Sequence, residues 1–265
     1  HCGVAWNDCN WQVLIIEEPD KTIPSGHYYL DSDLNITTRY KVGTTDGQTA
    51  DLAVDVCIDL RGRTAEAEIE KIFYLNKGAT LNIQDSVGGG KIIGSGYGDS
   101  TFGGTLSIAK DAACHLYGGT LTNIPWEDAA PKNGGVVYCA GAMYMYGGVL
   151  EGGKTTSTAT NRGGGNLEVI TNGTFYMYGG TVRDGVRINA QGQATTLSTV
   201  KSNIFLFKGT LNMTGGTIQC TENTSGVENN GQLHLSGGVI IGRFAVKNEG
   251  TAVISGSPVL TGNDY

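Results

Sequence analysis

The chain has 265 residues and a formal net charge of −7, with 16% charged residues and no basic stripe, which argues against a nucleic acid partner. It has no run of about 18 apolar residues, which argues against membrane insertion, and its 42 glycines lack the three-residue period of collagen. The apolar content of 39% is enough for a core, and abundant Gly, Thr, Asn and Ser favour short strands joined by turns.

Residues 1–26 are predicted to form an N-terminal cap segment. Their apolar stretch at 11–16 is followed by a Pro-Ser-Gly turn at 24–26. Trp6 and Trp11 are expected to cover the open end of the domain that follows, because an uncovered end would expose strand edges.

The first two cysteines lie in the same N-terminal segment. Cys2 and Cys9 could form a disulfide, or could hold a metal ion together with His1. The six cysteines of the chain are too few to form a disulfide scaffold at this length.

The next part of the chain is predicted to contain short strands. Alternating or apolar runs indicate strands at 27–30, 34–36 and 54–60. The acidic stretch at 65–71 is compatible with either a short helix or an exposed strand.

From about residue 112 the chain repeats one pattern, in which a small residue is followed six positions later by a glycine pair. The intervals between copies range from 19 residues, between Gly231 and Gly250, to 36 residues, between Gly173 and Gly209. A β-helix tolerates such variation because doubling a loop costs only about 0.6 kcal/mol, whereas a propeller or a helical repeat keeps a tighter period. The copies are Leu116–Leu121, Met145–Leu150, Met177–Val182, Met213–Ile218, Leu235–Ile240 and a weaker one at 254–259.

Within each copy the residues alternate with period two, which is typical of a strand with one buried face. The glycine pair is expected to form a corner, since glycine accepts positive φ, and a second strand follows it. The residues predicted to face inward before the corner are Cys114, Leu116, Met143, Met145, Phe175, Met177, Leu211, Met213, Leu233 and Leu235. Those predicted to face inward after the corner are Leu121, Leu150, Val182, Ile218 and Ile240.

This pattern predicts an all-β domain over residues 27–265, a single-stranded right-handed parallel β-helix in which each coil stacks on its neighbours. The expected spacing between coils is about 4.8 Å. Asn76, Asn229 and Asn248 share one position before the small residue and could bridge coils through their side-chain amides. Other residue types occupy that position elsewhere, so any such asparagine ladder is interrupted.

The alternation that points methionines inward points five tyrosines outward, in two neighbouring columns over three coils. A histidine and an asparagine extend one column, and an arginine flanks them. Exposed tyrosine rings can stack on sugars and donate hydrogen bonds, but a cross-strand ladder that only stabilises the sheet explains them equally well. The predicted ligand-binding residues are Tyr117, Tyr144, Tyr146, Tyr176, Tyr178, His115, Asn212 and Arg183.

Three runs and the repeated Met-x-Gly-Gly-Thr-Ile-like segments carry a family resemblance. The runs at 25–30, 57–62 and 78–83, together with those segments, resemble the pectate-lyase-like β-helix superfamily over nearly the whole chain from about Trp11. The closest resemblance is to β-helix modules of large surface proteins of gut-dwelling Gram-positive bacteria. It implies a piece of a larger exported protein that is extracellular or attached to the bacterial surface. The superfamily includes polysaccharide lyases, glycoside hydrolases, phage tailspikes and non-catalytic adhesins.

The carboxylates of the chain do not form the set that catalysis in this superfamily requires. Hydrolases need two or three acidic groups close together, and the sequence has no Asp-Asp pair. Asp55 and Asp59 are the best candidates for calcium ligands, with strand faces and turn caps as the alternative. Arg183 and Arg187 are candidate lyase bases, but Arg183 lies at the position equivalent to Glu151, where a cross-strand ion pair explains both.

We therefore expect no catalytic residue, no bound metal and no cofactor. The sequence favours a non-catalytic, adhesin-like module that binds carbohydrate or a host surface glycoprotein through the tyrosine face and the edge loops at 122–133, 152–165 and 187–202. A polysaccharide lyase or glycosidase and a passive structural stalk remain the alternatives, and the oligomeric state is left open.

Overall fold

A computed structural model describes residues 10–15, 22–37, 39–43, 53–67, 71–95, 102–124, 133–156, 163–187, 202–220 and 224–262. These residues form 28 β-strands, numbered β1 to β28 in chain order, and no helix. All pairings between these strands are parallel. This part of the chain therefore contains no helix that is long and apolar enough to cross a bilayer.

The strands form three stacks, which we call sheets 1, 2 and 3, and from β5 onward the chain passes through them in that order. Sheet 1 contains β2 (Thr22–Ile23), β5 (Tyr40–Val42), β8 (Phe73–Leu75), β11 (Leu106–Ile108), β14 (Val137–Cys139), β18 (Gly164–Val169), the first halves of β22 (Ser202–Met213) and β24 (Ser225–Leu235), and β26 (Val246–Asn248). Sheet 2 contains β1 (Trp11–Val13), β3 (Gly26–Tyr29), β6 (Val54–Asp59), β9 (Ala79–Gln84), β12 (Ala113–Leu116), β15 (Ala142–Met145), β19 (Thr174–Met177), the second halves of β22 and β24, and β27 (Thr251–Ile254). Sheet 3 contains β4 (Leu34–Ile36), β7 (Thr64–Ala67), β10 (Lys91–Gly94), β13 (Thr120–Asn123), β16 (Val149–Glu151), β20 (Thr181–Arg183), β23 (Thr217–Gln219), β25 (Val239–Gly242) and β28 (Val259–Gly262). The short strands β17 (Lys154–Thr155) and β21 (Val186–Arg187) form a separate pair.

The hydrophobic core lies among the three sheets and repeats from layer to layer. In sheet 2, Leu116 lies opposite Met145, which lies opposite Met177, and all three are fully buried. In sheet 3, Leu150 and Val182 are aligned in the same way. The 15 residues that the sequence predicts to face inward are all at most 1% exposed, so the prediction is confirmed.

Both glycines of a corner lie close to a neighbouring layer, and the second also has a positive φ. A Cβ at the first glycine, such as Gly147, would overlap the carbonyl oxygen of Tyr117 in the preceding layer. The second glycine, such as Gly148 with φ of 74°, has the left-handed conformation that disfavours a side chain. The pair therefore allows close layer contact and a sharp turn between sheets 2 and 3.

Asparagine side chains bridge layers, as the sequence predicts, and all three expected residues take part. Asn229 donates its amide to Asn248 Oδ1 at 2.6 Å, and Asn76 donates to the carbonyl oxygen of Gly43 at 2.9 Å. A further, buried bridge, which was not predicted from the sequence, joins Asn166 to Asn203 Oδ1 at 2.6 Å.

Two segments of the predicted cap are strands of the stack. β1 pairs with β3, and β2 pairs with β5. Trp11 is half-buried, and its ring meets that of His27 edge-on at 5.3 Å. In the stretch at 65–71, residues up to Ala67 belong to strand β7, which favours the strand interpretation for that part.

Some predictions fall on residues that the structure does not describe. His1, Cys2, Trp6, Cys9 and the middle of the 122–133, 152–165 and 187–202 insertions lie outside the described residues. The proposals of a terminal disulfide or metal site remain predictions.

Candidate functional site

The outward side of sheet 2 carries three columns of side chains, because the strands are in register. From β12 to β27 the first column is Ala113, Ala142, Thr174, Thr210, Gln232 and Thr251. The second column is His115, Tyr144, Tyr176, Asn212, His234 and Val253. The third column lies just after each strand and is Tyr117, Tyr146, Tyr178, Thr214, Ser236 and Ser255.

Six aromatic rings in the second and third columns stack on one another and form what we call the aromatic ladder. Its members are His115, Tyr117, Tyr144, Tyr146, Tyr176 and Tyr178. The ring centroids of Tyr144 and Tyr176 are 4.8 Å apart with planes 4° apart, and those of Tyr146 and Tyr178 are 5.1 Å apart with planes 14° apart. The register therefore brings together seven of the eight residues predicted to bind a ligand, since Asn212 lies next to Tyr176.

The rings of the aromatic ladder are offset like overlapping tiles. Parallel rings in contact are about 3.5 Å apart, so a centroid distance of 4.8 Å between Tyr144 and Tyr176 requires a sideways slide of roughly 3 Å. Tyr146 and Tyr178 are each 43% exposed, and the other three tyrosines are half-buried. The ladder thus presents ring edges and parts of ring faces to solvent, while much of each face contacts a neighbouring ring.

A groove of about 480 Å³ runs across the strands beside the aromatic ladder. Its floor is made of small residues of the first column, including Ala113 and Ala142, and Tyr144 and Tyr176 line it as well. The lining extends over four layers, from Thr80 to Thr174, which is about 14 Å along the stack. This groove was not predicted. The sequence does contain a signal for it, which is the Ala or Thr two positions before the histidine and before each tyrosine of the second column.

The face around the ladder carries no formal charge. None of the 18 outward residues in the three columns from β12 to β27 is Asp, Glu, Lys or Arg. Lys110 and Asp111, which have opposite charges, line the groove from the turn before β12. A ligand on this face would therefore meet hydroxyl, amide, imidazole and aromatic groups.

Burial shifts three side chains of the ladder toward their neutral forms. Desolvation lowers the pKa of His115, and the nearby Asp55 carboxylate partly opposes that shift. Desolvation also raises the pKa of Tyr144 and of Tyr146. These shifts all favour the uncharged forms of the side chains concerned.

Asp55 and Asp59, the candidate calcium ligands, are bound by neutral donors of the chain. Asp59 is fully buried, and its Oδ1 accepts hydrogen bonds from the backbone amides of Arg61 at 3.0 Å and Ser86 at 2.9 Å. Asp55 accepts a hydrogen bond from Asn82 Nδ2 at 2.7 Å. These contacts support a turn-capping role, and the described residues contain no group of three or more His, Cys, Asp or Glu placed to hold a metal ion.

Arg183 lies on sheet 3, beyond the glycine corner from the ladder. Its Nε donates to Glu151 Oε2 at 2.8 Å, which confirms the predicted ion pair. Arg187 is buried, and desolvation lowers its pKa while Glu228 opposes the shift. Because Arg183 is held by Glu151, the candidate site is best defined without it.

The outward side of sheet 1 carries two glutamates that were not predicted from the sequence as a pair. Glu168 and Glu228 are two strands apart, with Phe205 between them, and are 1% and 2% exposed. Glu228 Oε1 accepts a hydrogen bond from Lys247 at 3.0 Å, and burial raises the pKa of Glu228 against the effect of that lysine. They are closed to solvent and therefore do not form an open acid and base pair.

Comparisons with known proteins add no relative. No family model matches the chain, and neither a curated protein nor a solved structure is significantly similar to it. The site is therefore interpreted from its own chemistry.

Proposed function

We propose that the chain is an extracellular or cell-surface module of bacterial origin that binds a glycan without cleaving it. In this proposal the three sheets close into a single-stranded right-handed parallel β-helix of the pectate-lyase-like type, with residues 1–26 as its N-terminal cap. The uniform order of the sheets and the parallel pairing support this closure, since crossovers between parallel strands are almost always right-handed.

The observation that carries the proposal is the groove bordered by Tyr144 and Tyr176 on an uncharged face. Tyrosine offers both an aromatic surface and a hydroxyl group, which suits the apolar faces and polar edges of sugars. The groove is open along the stack and could accommodate several units of a linear chain. The outward columns beside the groove are uncharged, and the two charged residues that line it, Lys110 and Asp111, have opposite signs. This favours a neutral glycan, either as a polysaccharide or on a host surface glycoprotein.

Catalysis on this face is less well supported than binding. A lyase or glycosidase needs carboxylates beside its substrate, and among the residues that line the groove only Asp111 carries one. The buried pair Glu168 and Glu228 lies on sheet 1. Incubation with neutral and acidic polysaccharides, with and without calcium, should release no product.

A structural spacer is the second candidate, because the tyrosine rings contact one another extensively. Cross-strand aromatic pairs stabilise a sheet by about 0.2–1 kcal/mol each. Under this alternative, removal of the rings would lower stability and no glycan would bind.

A binding experiment separates the two candidates. The wild type and Tyr144→Ala/Tyr176→Ala are compared on an array of neutral and acidic glycans, followed by calorimetry on the glycans that bind. We expect the double variant to bind about tenfold more weakly or worse, which corresponds to about 1.4 kcal/mol. Tyr74→Ala/Tyr138→Ala, on the outward face of sheet 1, is the matched control and should bind as the wild type does. Equal binding by the Tyr144 and Tyr176 variant would refute the proposal.

A further inference from the structure

The two ends of the aromatic ladder differ in what lies next to them. Toward the N-terminus, His115 is preceded by Asn82, whose amide donates to Asp55 Oδ1 at 2.7 Å and to the carbonyl oxygen of Val56 at 3.3 Å. Gln84, the next polar residue on that strand, donates to Asp59 Oδ2 at 3.2 Å. The polar side chains at this end are therefore engaged within the protein.

Toward the C-terminus, the ladder ends where the side chains of the third column become small. The register places Thr214 next to Tyr178, followed by Ser236 and Ser255, and all three are exposed. A tyrosine ring extends farther from the sheet than these small side chains. Thr214, Ser236 and Ser255 therefore form a low surface beside Tyr178, which we call the shelf.

The ring of Tyr178 has one face that no other ring covers. Tyr146 stacks on its N-terminal side with planes 14° apart, so the opposite face is directed toward Thr214 and the shelf. Tyr178 is 43% exposed. Among the described residues, no further aromatic ring continues its column, because Thr214 and Ser236 occupy the next two positions.

The polar side chains around the shelf are available to a ligand. Asn212 and His234 lie beside it in the second column and are half-buried. Within the described part of the chain, the side chains of Asn212, His234, Thr214 and Ser236 have no hydrogen-bond partner. This contrasts with the engaged Asn82 and Gln84 at the opposite end.

We infer that this end of the ladder is a subsite for one neutral pyranose ring, which stacks on the free face of Tyr178 above Thr214 and Ser236. Asn212 and His234 hydrogen-bond its hydroxyl groups. The inference rests on the proposed glycan binding and extends it to a particular sugar unit at a particular place. An aromatic face beside these hydrogen-bonding groups selects a neutral sugar over a uronic acid, because the described outward columns hold no Lys or Arg to pair with a carboxylate.

The test extends the ladder by one ring. Thr214→Tyr places a sixth tyrosine in register, where it covers the free face of Tyr178 and fills the shelf. Thr217→Tyr makes the same change on the outward face of sheet 3 and is the matched control. The probes are linear neutral oligosaccharides of glucose, galactose and mannose, with an oligomer of galacturonic acid for comparison, measured by calorimetry and by saturation-transfer NMR.

We expect Thr214→Tyr to weaken the binding of the neutral probe at least about tenfold and Thr217→Tyr to change it less than about twofold. Asn212→Ala should weaken binding with an unchanged thermal midpoint, which separates recognition from folding.

If the wild type binds a neutral probe, and Thr214→Tyr and Asn212→Ala bind it equally well, the subsite is wrong while the proposed function stands. If the galacturonic acid oligomer binds better than every neutral probe, the sugar class is wrong. If the wild type binds none of the probes, both proposals fail.

Discussion

At the scale of single residues, the two glycines of a corner show how closely the layers are packed. A Cβ at Gly147 would overlap the carbonyl oxygen of Tyr117, and a Cβ at Gly148 would come within 2.7 Å of the carbonyl oxygen of Gly119, where the φ is also positive. The repeated glycine pair could be recognised in the sequence, but these causes could not. They depend on the distance between layers, which only the folded stack sets.

Replacing the first glycine should cost more than replacing a glycine that has only an unusual φ. Gly147→Ala forces the backbone of two layers apart, and we expect it to lower the free energy of unfolding by about 3 kcal/mol. Gly88→Ala shares the positive φ of the second corner glycine but meets no atom within 4 Å, so it should cost about 1–2 kcal/mol. Urea unfolding of both variants measures the difference, and equal losses would show that close approach does not matter at Gly147.

His115 should make the stability of the protein depend on pH. Desolvation lowers its pKa in the folded state, with Asp55 opposing. Its ring stacks on that of Tyr144, and Asn82 is its register neighbour on the other side. Because the unfolded chain takes up the proton more readily, the contribution of neutral His115 is present above the ordinary pKa of about 6.5 and is lost as the pH falls through the lowered value.

The corresponding measurement is the urea midpoint of wild type and His115→Gln at about pH 7.5 and about pH 5. We expect the wild type to lose more stability than the variant over this interval, since glutamine does not titrate. An identical loss in both proteins would assign the pH dependence to other groups.

At the scale of elements, sheets 2 and 3 could be predicted from the repeat and sheet 1 could not. The glycine pair fixes the register of the strands on either side of it, such as β19 and β20. Sheet 1 has no such marker, because its strands lie at varying distances before the repeat. For example, β18 is separated from β19 by a turn, whereas β22 runs through sheets 1 and 2 without a break. The buried Glu168 and Asn166 were missed for this reason.

Replacing Asn166 should destabilise the fold more than replacing most other polar residues. Its amide donates to the carbonyl oxygens of Leu150 and Arg183 and to Asn203 Oδ1, and its Oδ1 accepts from the amide of Gly153. Asn166→Ala would leave several buried groups without partners, so we expect a loss of about 3 kcal/mol or more. Asn212→Ala removes an asparagine that makes no such contact among the described residues and should cost less than about 0.5 kcal/mol. Thermal or urea unfolding compares them, and similar losses would contradict the role given to the buried bridge.

At the scale of the whole molecule, charge is distributed unevenly. The chain has a net charge of −7, yet the outward side of sheet 2 from β12 to β27 carries no carboxylate, lysine or arginine. The tyrosine columns were predictable because they follow directly from strand alternation. The tiled packing of the rings, the groove and the shelf were not, because they depend on ring tilt and on the height of neighbouring columns.

Glycan binding should therefore be almost independent of ionic strength. Salt screens interactions between charges, and a neutral ligand on an uncharged face offers none to screen. We expect the dissociation constant to change less than about twofold between about 0.05 M and 0.5 M sodium chloride. A steep decrease in affinity with salt would indicate that the ligand contacts the charged surfaces elsewhere on the molecule.

NMR of tyrosine-labelled protein can show whether a neutral glycan binds to the aromatic ladder. Titration with a neutral oligosaccharide that binds should shift the ring signals of Tyr144, Tyr146, Tyr176 and Tyr178 and leave those of Tyr74 and Tyr138 on sheet 1 in place. Shifts confined to the sheet 1 tyrosines, or no shift of any ladder tyrosine at saturating glycan, would contradict binding at the ladder.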